Sequence, residues 1–216
     1  MNKKLNLPIL GLLLFAGTAI GQDKVANPQR IDPFLIDQAP YRFNGLVLNF
    51  EASDEEGTTT TPAAPVLTSR GSGFCVWNRK TFFTAAHVVY DAPETSGGIA
   101  PTERGIWLPP PTWAPAVNAA NLTGARQIKS RGYFRWRAFG DFASEIAINS
   151  PEAFGQDAVL CYALTPLIDG APAKINLNGF NDLQTKKKSL ITGYPAENFY
   201  REKPIDGFFL HETGPR

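Results

Sequence analysis

The chain has 216 residues, with 21 Lys and Arg against 20 Asp and Glu, so its formal charge is +1. No field of one sign is available to hold nucleic acid or an acidic surface, and those partners are excluded. Two cysteines and two histidines, set far apart, match none of the usual metal-ligand spacings, so neither a metal nor a cofactor is expected.

The first element in chain order is a targeting segment. Asn2-Lys3-Lys4 is a short positive start, Leu7 to Ile20 is almost entirely apolar, and Ala19-Ile20-Gly21 supplies small residues where a signal peptidase reads. This predicts removal of residues 1–21 and a mature start at Gln22. The apolar run is shorter than the roughly 20 residues a membrane span needs, so no membrane partner is expected after cleavage. No cysteine follows the run, which argues against a lipoprotein. The chain is expected to be secreted or to reach a bacterial periplasm.

Beyond the signal, the length suits one large domain or two small ones. Eighteen prolines, 19 glycines and 15 phenylalanines point to short strands joined by structured loops. Residues 22–41 read as an irregular lead-in containing Phe34-Leu35-Ile36. RFNGLVLNF, residues 42–50, is a strand, and the acidic, then Thr- and Pro-rich stretch 51–65 is an exposed loop. TSRGSGFCVW (68–77) and TFFTAAHVV (81–89) form a hairpin across a three-residue polar turn. Residues 91–124 are a long insertion whose one strand candidate is GIWLP, 105–109. Residues 125–139 alternate polar and apolar well enough for one bent strand or two. Residues 140–156 are irregular or briefly helical; along the whole chain helix-period apolar patterns are scarce, apart from weak ones near 114–122 and 142–148.

DAVLCYAL, 157–164, has the continuous apolar character of a buried strand. Residues 166–173 connect two halves, and strands are expected at 173–180, 188–195 and 206–214. Short strands at regular spacing argue an all-β barrel or sandwich. Cys75 and Cys161 lie in two of these strands. An oxidising compartment permits one disulfide between them, and two buried free thiols are an equal reading.

The arrangement around His87 is more specific. Gly71-Ser72-Gly73-Phe74 opens one arm of the hairpin, and Thr84-Ala85-Ala86-His87 closes the other. This resembles the histidine motif of the chymotrypsin-like serine peptidases. The bacterial secreted trypsin-like and glutamyl-endopeptidase-like branches are the most similar, because Val-Val follows the histidine. The resemblance implies a double β-barrel, polypeptide substrates and a general-base role for His87. The residues themselves fit such a role. Glycines at 71 and 73 let the strand lie close to a neighbour, and the small side chains of Ala85 and Ala86 let the turn pack tightly while the imidazole stays accessible.

The same resemblance implies a carboxylate that opens a buried strand and orients the ring. Asp157-Ala158-Val159-Leu160 has that form, whereas Asp91 and Asp141 lead into no buried strand. The insertion at 91–124 accounts for a long separation of His87 and Asp157 at modest entropic cost. Ile191-Thr192-Gly193-Tyr194-Pro195 is similar to a strand of the family's second barrel. His211 is expected to be a strand-end or loop residue, and Lys186-Lys187-Lys188 a solvated turn.

The pattern then breaks, because no Gly-x-Ser-Gly loop occurs in 1–216. Ser72 alone lies between glycines, in the strand before His87, where the family has no nucleophile. The expected architecture is all-β, a chymotrypsin-like double barrel with the first barrel complete at 42–165 and the second partial at 166–216. Open edges and uncovered apolar residues such as Phe208, Phe209 and Leu210 are expected in that second part. Three functions follow: part of a secreted serine endopeptidase, inactive as given; a non-catalytic peptidase-like binding module; or an unrelated β-rich envelope protein.

Overall fold

The computed structural model describes residues 28–51, 66–92, 104–118, 122, 124–148, 150–175, 191–194, 199–200, 203–204 and 209–213. The signal segment 1–21, most of the 51–65 loop, Phe208 and Lys186–Lys188 lie outside them.

The described chain is built of short strands: β1 (Gln29–Arg30), β2 (Asn44–Glu51), β3 (Val66–Cys75), β4 (Thr81–Thr84), β5 (Tyr90–Asp91), β6 (Ile106–Trp107), β7 (Thr112–Pro115), β8 (Ile128–Lys129), β9 (Gly132–Arg135), β10 (Val159–Tyr162), β11 (Ile191–Gly193), β12 (Phe199–Tyr200), β13 (Lys203–Pro204) and β14 (His211–Thr213). Two helices, α1 (Arg137–Glu145) and α2 (Pro151–Phe154), fall between β9 and β10.

One sheet runs in the order β8-β7-β2-β3-β4-β10-β9. Its two ends belong to a single bent stretch of chain. Ser130 N donates to Pro111 O beside β7 (2.9 Å), and Arg131 N donates to Tyr162 O of β10 (2.8 Å). The strand thus hands its hydrogen bonds from one end of the sheet to the other, which closes a barrel and leaves no open edge at that seam. This curled sheet agrees with the all-β, barrel-type architecture expected from the sequence.

Strict alternation fills the interior. Gly73, Thr84 and Val159 form one inward row and Cys75, Phe82 and Cys161 the next, all buried. Trp113 and Phe82 pack with ring centroids 4.6 Å apart in this core. Trp113 fits because its neighbours are glycines: a Cβ on Gly73 would sit 2.6 Å from the indole, and one on Gly45 would overlap it.

The two cysteines are free and buried. They pair with opposite sides of Phe82 on the intervening strand. Two strand spacings separate them by roughly 10 Å, beyond the reach of a disulfide. The free-thiol alternative therefore holds, and the possible Cys75–Cys161 bridge is not formed.

A second, three-stranded sheet, β1-β14-β11, packs on the barrel. Leu46 and Leu48 point away from Val47 and bury against Ile31, Ile36, Tyr194 and Leu210. Being covered on both faces explains the unbroken Leu46-Val47-Leu48 run of β2. The lead-in is therefore less irregular than expected, since β1 borrows its partner from β14 and Ile31 N donates to Leu210 O at 2.9 Å. This pairing also corrects the expectation of uncovered residues: Phe209 and Leu210 are buried.

Elsewhere, the GIWLP strand appears as β6 and pairs with β5. The tail of the 125–139 stretch departs from strand at Arg137, where α1 begins. At the start of the stretch 114–122, where a weak helix period is expected, Ala114 and Pro115 belong instead to β7 and pair with β2.

Candidate active site

His87 sits in a single helical turn, Ala86–Val88, immediately after β4. The sequence forces a compact turn here. Ala86 and Val88 are buried on either side of it, and Val88 lies over β3 where a Cβ on Gly71 would come within 2.5 Å of its methyl. The Val88 carbonyl accepts hydrogen bonds from the Asn49 side-chain amide and from Ser69 Oγ, the latter at 2.9 Å. Asn49 and Ser69 pin the turn from β2 and β3. Sequence reading did not find these two, because a lone Asn or Ser in a strand carries no local signal of what it meets across the sheet.

Asp157 arrives from the other direction. Ser150 caps α2 by accepting from Ala153 N at 3.2 Å, with Pro151 at the first helical position. The helix then ends in a tight turn, Asp157 N donating to Phe154 O, and β10 begins with Val159 buried.

The two residues meet as the sequence implied. His87 Nδ1 and Asp157 Oδ2 are 2.7 Å apart, and the His87 backbone N–H donates to Asp157 Oδ1 at 2.9 Å. One carboxylate thereby holds both the main chain and the ring of the histidine. The Asp157 side chain is 10% exposed and that of His87 48%, so the ring's far edge faces solvent. Among the described residues nothing is hydrogen-bonded to Nε2. Among the described residues neither Asp91 nor Asp141 forms a hydrogen bond or ion pair with His87. Asp91 belongs to β5, and Asp141 lies 3.7 Å from Arg104.

Mutual stabilisation moves both groups. The hydrogen bond to Asp157 raises the imidazole above its ordinary 6.5, overcoming the opposing effect of burial. For Asp157, burial pushes upward, but the bonds from the His87 ring and backbone N–H outweigh it and hold the carboxyl below 3.8. An imidazole fixed at Nδ1 by an ionised carboxylate presents Nε2 as a proton acceptor.

No nucleophile accompanies the pair among the described residues. The Cys75 and Cys161 thiols lie inside the barrel, where burial pushes them up to about 11 and about 12. Ser72 is also occupied: its Oγ accepts from Tyr194 N at 2.7 Å and donates to Tyr194 O at 3.0 Å, clamping the second sheet to the barrel. Thr192 adds a bond to Asn44 Oδ1 at 2.9 Å across the same junction. His211, in β14, pairs with Arg30 of β1, and its ring bonds to Phe209 O, a structural role in a different sheet from β4.

No protein-family profile and no curated protein matches the chain. Among solved structures, it is similar to the scabies mite inactivated protease paralogue S-D1, at 12% identity and a TM-score of 0.45. The match covers 88% of this chain and 61% of that one, so the chain spans less than two thirds of that structure's length.

Proposed function

We propose that His87 and Asp157 are the general base and its orienting carboxylate from the acyl-transfer machinery of a secreted, trypsin-like serine endopeptidase, and that this polypeptide alone does not hydrolyse peptide bonds. The observation that carries the reading is the double grip of Asp157 on His87, through ring and backbone together. Such a grip fixes the tautomer and stabilises the cation formed when Nε2 takes a proton from a nucleophile. The Gly-x-Ser-Gly loop is missing from 1–216, and among the described residues no hydroxyl is hydrogen-bonded to the His87 ring for the pair to serve.

That same absence favours a second reading, a peptidase-like module that binds polypeptide without turnover. Intact mass and fluorophosphonate labelling of the secreted native product separate the two. A labelled species containing His87, whose labelling is lost in His87→Ala, supports the endopeptidase. An unlabelled species that still binds peptide supports the binding module. Hydrolysis by the purified 216-residue chain, abolished by His87→Ala, would overturn the claim that it is inactive alone.

A further inference from the structure

A pocket of about 340 Å³ opens beside the histidine turn, lined by Tyr90, Arg104, Trp107, Arg135, Arg137 and Asp141 among others. Its floor is internally satisfied. Tyr90 is buried, its hydroxyl donates to Gly140 O at 3.1 Å and bonds to Ser144, and Ser144 Oγ accepts from Gly105 N at 3.1 Å. The floor therefore makes no polar demand on an occupant, and the walls decide what enters.

Those walls carry three guanidinium groups against one carboxylate. The Arg135 guanidinium lies 4.3 Å over the Trp107 ring, a cation–π contact that needs none of its N–H donors. Arg104 reaches Asp141 and Glu145 only at 3.7 Å, from a largely exposed position, so it is weakly held. Arg137 has no ion pair among the described residues. It starts α1, whose N-cap Trp136 supplies no side-chain acceptor to the first turn, which adds to the positive potential there.

The position ties this pocket to the solvent-facing side of His87, which is the cleft on the polypeptide-binding reading. Tyr90 is the third residue after His87, so their Cα atoms are at most about 11 Å apart, or roughly three residues of an extended peptide. Arg135 also lines an adjoining apolar groove that reaches Ala158, next to Asp157.

We propose that this pocket takes an acidic side chain of the polypeptide in the cleft, a few residues from the position facing His87. The assignment rests on the polypeptide-binding reading above, common to both proposed functions.

The test is an NMR titration of the 216-residue chain with two capped alanine-based peptides, one bearing a single Glu and the other Gln at that position. The Glu peptide is expected to bind about three- to fivefold more tightly at low salt, the worth of one partly exposed ion pair, with the preference shrinking as salt rises. Arg135→Gln with Arg137→Gln should remove the preference, and the corresponding double Lys variant should keep most of it. Both peptides should shift the His87 ring resonances. Equal binding of the two peptides, with His87 still shifting, would overturn the pocket assignment and leave the polypeptide cleft standing. A Glu preference with no response at His87 would overturn the assignment of the occupant as cleft-bound polypeptide.

Discussion

Asp157→Asn isolates the bond on which the site depends. An amide offers one oxygen where the carboxylate offers two, and His87 presents donors at both its backbone nitrogen and Nδ1. Keeping the backbone bond turns the amide NH2 toward Nδ1, so the ring must move its proton to Nε2 and lose its basic edge. The energetic cost depends on pH. His87 is raised above 6.5, so its contribution is fully present below that value and is lost as pH rises through the folded-state pKa. Asp157 is held below 3.8, so its contribution is present above that value and is lost as pH falls through the folded-state pKa. The stability difference between wild type and variant should therefore peak between 3.8 and 6.5 and decline on either side. Hydrogen bonds to charged groups are worth about 1.5–3 kcal/mol, and the half-exposed ring reduces this to about 1–2 kcal/mol at the peak. Urea unfolding followed by tryptophan fluorescence at pH 5 and pH 9 measures the difference, and nitrogen chemical shifts of the imidazole report the tautomer. A difference independent of pH, or a His87 pKa that does not fall in the variant, would refute the reasoning.

Gly73→Ala would drive a Cβ to within 2.6 Å of Trp113 in a closed interior, and a loss of about 3 kcal/mol is expected by urea unfolding. Gly71→Ala strikes Val88 instead, so it should both destabilise the chain and shift the His87 resonances. Val88→Ala in the same chain should recover part of that loss, giving a coupling of about 1 kcal/mol in the double-mutant cycle. Cys75 and Cys161 should not react with a thiol reagent at pH 8 in the folded chain and should yield two equivalents after denaturation, since both are fully buried and their thiols are pushed to about 11 and about 12. Rapid native labelling of either would contradict the packing around Phe82.

Much of the site was legible because it is written in local patterns. Two apolar runs around a polar turn specify the β3–β4 hairpin, small residues before His87 specify a tight turn, and an acid leading into a continuous apolar run specifies a strand that is buried from its first residue. Those features depend on chain neighbours and on the period of two, which sequence carries directly. The pins on Val88, Asn49 and Ser69, were not legible, because each is meaningful only through a carbonyl from another strand.

The sequence by itself thus determined the all-β character, the placement of His87 and Asp157 at strand ends, and the lack of a Gly-x-Ser-Gly loop. The tertiary structure decided whether the cysteines could pair, and an intervening strand carrying Phe82 keeps them apart. It also decided that the chain around Ser130 bends from one end of the sheet to the other, that Arg137 begins a helix, and that β1 finds its partner in β14. Each of these depends on contacts between residues distant in sequence, whose free energy comes from burial and pairing that no local propensity encodes.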